Sequence, residues 1–347
     1  MRRHPDRTLF AALAAALVLT FFRVPVASSQ GLTLVAPYVE GELPLDDPAA
    51  AAWAQATPLS VPLSAQNVTR PMVLEATVRT VSARALHNGT ELAVLVEWDD
   101  PTQDDTAVGV EAFRDAVALQ FPLAAGPPFF CMGQVGGNVN IWHWKADWEA
   151  ERTARSDVDS VYPNMYVDQY PFAAGDEPVA VAPADYSDPN YLPALAVGNL
   201  LAAAERRSSV EDLVAGGFGT LTPEPPEGQN VAGFGRWSDG RWQVIFTRTL
   251  RSPEAEDVSF AGGRVYSVAF AAWDGSNGER NGQKSTSQWV GLQLGAVPAG
   301  AQPEAAEARG LFNEGFYWVA LPSIAVILLI LGLIGVMILA SRWLEEK

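Results

Sequence analysis

Short alternating runs cut by turn residues constrain this chain most. From Pro71 to Asp99, Leu74, Ala76 and Val78 alternate with polar neighbours. Asn88-Gly89 offers a two-residue turn, and Glu91–Trp98 returns as an apolar strand. A period of two sends one face into a core and the other outward, and Asn-Gly supplies the positive φ angles that a tight hairpin needs. Further strands are predicted at Ala116–Phe121, Asn138–Trp144, Trp242–Arg248 and Arg264–Trp273. Helical periodicity is weak, with short candidates at Pro48–Ala56 and Asn199–Arg206. Pro and Gly are dense, 25 and 29 residues, and strands do not alternate with helices. The expected fold is therefore mainly β: an antiparallel β-sandwich with short helices.

The two ends read differently from this body. Residues 1–29 have the form of a secretory signal: Arg2, Arg3 and Arg7 precede the apolar core Leu9–Phe22, and Ala27-Ser28-Ser29 offers small residues for cleavage. Phe316–Ala340 carries no charge, and as a helix it would extend about 37 Å. Tyr317, Trp318 and Trp343 flank it as interfacial aromatics do. The predicted order is signal 1–29, body 30–295, linker 296–314, transmembrane helix 315–341 and cytoplasmic tail 342–347. Within the body, 149–230 reads as a long excursion rich in Asp, Pro, Tyr and Ala. This predicts an exported protein, anchored to the cytoplasmic membrane by its C-terminal helix, with the main domain on the outer, periplasmic side.

Composition excludes several classes. The net charge is −17, and residues 1–29 contribute +3 (Arg2, Arg3, Arg7 and Arg23 against Asp6), so the remainder carries −20. A surface so acidic, without a basic patch, is unsuited to nucleic acid. Cys131 stands alone, which excludes an internal disulfide framework. No C-x-x-C-H occurs, which excludes covalent c-type heme.

Nitrogen and sulfur ligands are scarce, so each can be weighed. Histidine occurs only at His4, His87 and His143, and lysine only at Lys145, Lys284 and Lys347, although Lys and Arg together number 23. Phe129–Trp148 gathers Met132, His143 and Lys145 among aromatics and glycines. On a strand, Trp142 and Trp144 would face a core, with Ile141, His143 and Lys145 opposite; the plain expectation puts His143 and Lys145 in water. Met132 would ordinarily fill a gap in a core. A polar, glycine-punctuated loop follows Trp273 and ends at Lys284. Asp99-Asp100 and Asp104-Asp105 offer oxygen ligands of the kind calcium takes, but without EF-hand spacing a solvated turn is the simpler expectation.

Taken in order, PPFFCMGQ (127–134), VNIWHWKADW (139–148), DVDSVYPNMYVDQYPF (157–172), GFGTL (217–221), GRWSDGRWQVIFTRTL (235–250) and VAFAAWDGSNGERNGQKSTSQW (268–289) form a pattern. Across about residues 32–295 the chain resembles the heme b-binding γ subunits of type II DMSO-reductase-family molybdoenzymes. That group includes ethylbenzene dehydrogenase, selenate and chlorate reductases and nitrite oxidoreductases. The resemblance implies a β-sandwich holding one heme b between a methionine and a lysine, which by motif are Met132 and Lys284. Arg241 and Arg280 are the candidate partners for the heme propionates, and the motif does not use His143 or Lys145 for iron. The implied role is non-catalytic: an electron-transfer subunit relaying electrons between an iron–sulfur β subunit and an external carrier (a cytochrome or quinone-linked protein), with a molybdopterin α subunit doing the chemistry. The C-terminal helix departs from the soluble γ subunits; it contains no histidine, so it reads as an anchor and not as a bis-His heme site. A secreted, membrane-anchored sandwich that binds carbohydrate or another small ligand without heme, using its 11 tryptophans as stacking platforms, is the alternative.

Overall fold

The apolar return strand after Asn88 sits at the centre of one of two sheets. The structure is a computed structural model that describes residues 32–68, 70–124, 126–128, 132–164, 199–203 and 206–298. Its strands are β1 (Thr33–Ala36), β2 (Leu59–Pro62), β3 (Ser64–Ala65), β4 (Thr80–His87), β5 (Glu91–Asp99), β6 (Ala116–Pro122), β7 (Val139–Lys145), β8 (Val210–Ala215), β9 (Thr222–Pro223), β10 (Ala232–Ser238), β11 (Arg241–Thr249), β12 (Val265–Trp273), β13 (Ser285–Thr286) and β14 (Val290–Leu294). Two short helices, α1 (Ala146–Glu151) and α2 (Val158–Val161), and 3-10 turns at Ala51–Gln55, Leu200–Ala202 and Gly275–Asn277 complete the described elements. The chain is thus mainly β, as its turn-punctuated sequence predicts.

Strands β10-β11-β5-β4-β2 form a five-stranded sheet, and β1-β14-β12-β6-β7-β8-β9 form the path of a nine-stranded one, with β13 and β3 paired beside β12. Only β1 and β14 run parallel among these pairings. Both sheets feed one apolar core: Val94, Val96 and Trp98 of β5 and Trp242, Val244 and Phe246 of β11 meet Val117, Leu119 and Phe121 of β6 and Trp142 and Trp144 of β7. Trp98 lies edge-on to Trp144 at 6.3 Å and stacks on Trp242 at 6.2 Å. Each such aromatic buries about 150–250 Å², worth at most roughly 4–6 kcal/mol. Gly235 makes this packing possible, because a Cβ there would fall 2.2 Å from Cζ2 of Trp144.

Several boundaries differ from the sequence reading. Pro71–Arg79 is not a strand arm: β4 begins at Thr80, and Leu74 is 87% exposed. The hairpin turn centres on Gly89-Thr90, closed by the Asn88 N–H donating to the Glu91 carbonyl at 3.2 Å, while Oδ1 of Asn88 accepts from the N–H groups of Thr90 and Glu91. Asn88 therefore caps the turn rather than forming its centre, and Gly89 takes the positive φ of 90°. The run 149–230 contributes β8 and β9 to the large sheet. The predicted signal 1–29, helix 315–341, tail 342–347 and nearly all of linker 296–314 lie outside the described residues. Among the described residues no helix is long and apolar enough to cross a membrane.

Candidate functional site

Alternation on three neighbouring strands creates a cavity on the face of the large sheet that points away from the main core. Val117, Leu119 and Phe121 of β6 point into that core, so Ala116, Ala118 and Gln120 point the other way. On β12 the same logic turns Ala269, Ala271 and Trp273 outward, and on β7 it turns Ile141 and His143 outward. Register sets Ala118 opposite both Ala271 and His143. A floor of alanines leaves space, and the resulting cavity measures about 790 Å³. That is within the roughly 300–1,000 Å³ of small-molecule and cofactor sites.

Two loops bring Met132 and Lys284 together over this floor. The Met132 N–H donates to Oε1 of Gln120 at 2.8 Å, and its carbonyl accepts from the Gly217 N–H at 2.8 Å. Met132 is held at φ 73°, a left-handed conformation that non-glycine residues seldom adopt and that clusters at functional sites. Gly133 follows at φ 76°, where a Cβ would meet the Ala215 carbonyl oxygen at 2.6 Å and that of Gly137 at 2.9 Å. The second loop leaves β12 at Trp273, whose indole N–H donates to the Asn281 carbonyl at 3.1 Å. It turns at Arg280–Gln283 and enters β13 just after Lys284, whose carbonyl accepts from the Gln66 N–H at 2.8 Å. Lys284 is buried, and its Nζ lies 3.2 Å from Sδ of Met132 and 4.9 Å from the Trp273 ring centroid. Two residues 152 positions apart, each expected at the site, therefore meet in the cavity they line.

The other expected residues fall out unevenly. His143 also lines the cavity, stacked on Trp273 at 4.7 Å, and its Nε2 is buried without a hydrogen-bond partner. Burial first, then the cations Lys145, Arg114 and Lys284, hold its imidazole well below its usual range and so neutral. Lys145 is not in water: it is buried, its Nζ donates to Oε2 of Glu211, and it sits 3.9 Å over the Trp148 ring. Burial lowers its amine to about 8 despite that carboxylate. The strand is two-faced as expected, but opposite the tryptophans Ile141 and His143 line the cavity, and Lys145 is buried against Glu211 of the neighbouring β8 and Trp148, rather than facing solvent.

Arg280 lines the cavity, exposed, with its guanidinium 4.4 Å from the Phe113 ring centroid. Arg241 does not; it lies on the other sheet, 3.7 Å from Asp99. Arg70 and Arg114 are cavity residues that the sequence reading missed, and no spacing signal marks them. Arg114 is engaged by Asp147 at 2.6 Å. Nor is Asp100 in a solvated turn: it is buried and its carboxylate stands with those of Asp115 and Asp274. Among the described residues no tryptophan is fully exposed: Trp53, Trp98, Trp142, Trp144, Trp148 and Trp242 are buried, Trp273 lines the cavity, and Trp237 and Trp289 are half-buried.

Known proteins resemble this chain over much of its length. The family model described as ethylbenzene dehydrogenase matches residues 50–285. A protein of Haloferax mediterranei named as a respiratory nitrate reductase heme subunit is 26% identical over 301 residues, 84% of this chain and 86% of that one. The chlorate reductase γ subunit of Ideonella dechloratans is 29% identical over 252 residues, 71% of this chain and 79% of that one. The dimethylsulfide dehydrogenase γ subunit of Rhodovulum sulfidophilum is 26% identical over 223 residues, 62% and 58% of the two chains.

Proposed function

The chain belongs to the ethylbenzene dehydrogenase family, and on that premise we propose that it is a b-type cytochrome subunit that relays electrons within a molybdoenzyme complex. The observation that carries the reading is the meeting of Met132 and Lys284: a thioether and an amine converge over an alanine floor, in a cavity of cofactor size. Two relatives are named as γ subunits of chlorate reductase and dimethylsulfide dehydrogenase, and a third as a heme subunit. In this reading the partners are an iron–sulfur β subunit, a molybdopterin α subunit and an external electron carrier. Substrate chemistry takes place in the α subunit.

The residues fit heme b. When bound, the heme iron supplies one-electron oxidation and reduction. Lys284 Nζ donates to Met132 Sδ at 3.2 Å, and these two side chains would hold the iron. A methionine ligand favours the reduced iron and raises its potential. Lys284, which is buried, would hold the iron only as the neutral amine. The alanines of β6 and β12 leave the sheet flat and apolar where a macrocycle would be held, and the protein's part would be to orient it and limit its contact with water. Arg280 and Arg70, exposed where they line the cavity, match two propionates in charge. Anchoring by helix 315–341, with the body on the periplasmic side, completes the proposed arrangement.

The test is spectroscopic. The full chain, produced with its leader and purified from membranes, is expected to show a Soret band and a reducible b-type spectrum. A protein that stays colourless after incubation with hemin would contradict the proposal.

A further inference from the structure

A second cluster, separate from the cavity, has chemistry that the cytochrome role does not use. Asp212 lies on β8, Glu224 directly follows β9, and Asp257 sits in the loop between β11 and β12. Asp212 is 0%, Glu224 4% and Asp257 7% exposed. One carboxylate oxygen from each lies within 4.8 Å of the other two. Two oxygens held by one calcium ion at 2.3–2.6 Å can be at most about 5 Å apart, so the three could share one ion.

Charge and hydrogen bonding point to a missing partner. Arg248 is the cation that faces the cluster, and it is committed to Asp257 at 2.8 Å and to the Val258 carbonyl. Three carboxylates against one guanidinium leave two negative charges in a buried site, and Glu254 and Glu256 add to the field at Glu224. Protein donors satisfy only part of it: Asn140 Nδ2 reaches Oδ1 of Asp212 at 2.6 Å, and Asn230 Nδ2 and Ser252 Oγ reach Oδ2 of Asp257. Oδ2 of Asp212 and Oε1 of Glu224 are buried and accept no hydrogen bond from the described residues.

The comparison with the other buried triad is instructive. Asp100, Asp115 and Asp274 are equally close together, yet main-chain N–H, indole and hydroxyl donors serve their oxygens, and none is left buried and unpaired. That triad is a finished hydrogen-bond node, whereas the Asp212 cluster is not.

We infer that Asp212, Glu224 and Asp257 form a binding site for one hard divalent cation of the calcium class. Its charge would balance the two left over, and its preference for carboxylate oxygen matches the three donors present. The turn after β9 is built around the site: Gln229 Nε2 donates to the carbonyls of Asp212 and Glu224 at 2.9 Å, and its Oε1 accepts from the Asp212 N–H at 2.8 Å. The ion would tie β8 of the large sheet to the loop that follows β11 of the small one. This site is independent of the heme reading. Without an ion, burial and the neighbouring carboxylates raise Asp212 to about 8 and Glu224 to about 7, so protons are the competing source of neutrality.

The experiment measures thermal unfolding of the chelator-treated full chain at pH 7.5, with and without CaCl2, beside the calcium retained per chain before chelation. A single tight site predicts about one calcium per chain, and a midpoint raised by about 5–10 °C at hundredfold excess over Kd. Asp212→Asn and Glu224→Gln should each abolish that shift. Glu224→Gln keeps the claim testable if Asp212→Asn fails to fold. A wild-type midpoint that ignores CaCl2, or an equal shift in wild type and Glu224→Gln, would overturn the inference.

Discussion

Met132 carries a conformational cost that its neighbours compensate. At φ 73° a non-glycine residue is strained by roughly 1–3 kcal/mol, and the bonds from its N–H to Gln120 and from Gly217 to its carbonyl keep it there. Gly133 is the residue on which that placement depends most, since any Cβ would strike the Ala215 carbonyl. Gly133→Ala is expected to lose about 2–4 kcal/mol in denaturant unfolding and to alter the heme spectrum by displacing Met132. Nothing in the run around Met132 separates it from a core methionine; only the order of motifs along the chain does. Lys284 had a compositional signal as well, being one of three lysines. His143 was discounted from sequence, yet it shares the cavity, because residues that alternate on β7 must line whatever covers that face.

At the scale of elements, buried charges decide two outcomes. Lys145 on β7 and Glu211 on β8 neutralise each other where the sheet is covered. Lys145→Met leaves Glu211 uncompensated and is expected to cost about 3–5 kcal/mol, most of it recovered in the Lys145→Met, Glu211→Leu double variant. Asp115, directly before β6, accepts from the Gly275 and Asp104 N–H groups and the Trp242 indole, and burial pushes its carboxyl up to about 7. A folded pKa above the unfolded one means that the folded state holds the extra proton between about pH 4 and 7. Asp115 therefore contributes stability that is full below about pH 4 and is lost as the pH rises towards 7. Unfolding free energies measured across that range should show this loss, and Asp115→Asn should flatten it.

The same charges explain which strands were legible. β5, β6, β7, β11 and β12 are apolar or alternating runs bounded by turn residues, and their predicted ends lie within a residue or two of the observed ones. β8, VEDLVA, falls inside the predicted excursion 149–230: its adjacent Glu211 and Asp212 break the apolar pattern, and only the fold shows that Lys145 and Asn140 receive them inside. β10 was overlooked although Asp239-Gly240, both at positive φ, is a strong two-residue hairpin signal between Ser238 and Arg241. The short strands β1, β3, β9 and β13 have too few residues for a period to show.

For the whole molecule, the architecture separates two tasks. The aromatic core between the sheets gives rigidity, and the outer face of the large sheet gives a cofactor-sized space with two candidate ligands. A net charge of −17 leaves the surface to repel anions and to receive basic partners, with association that weakens as salt rises. The central claim is that one heme lies between Met132 and Lys284. Its most direct test is the absorption spectrum and reduction potential of the purified chain beside Met132→Ala, Lys284→Ala and His143→Ala. The account predicts that the first two change the spectrum, that Met132→Ala lowers the potential, and that His143→Ala keeps the native ligation. Wild-type spectra in both ligand variants, with the heme signal lost in His143→Ala, would contradict it.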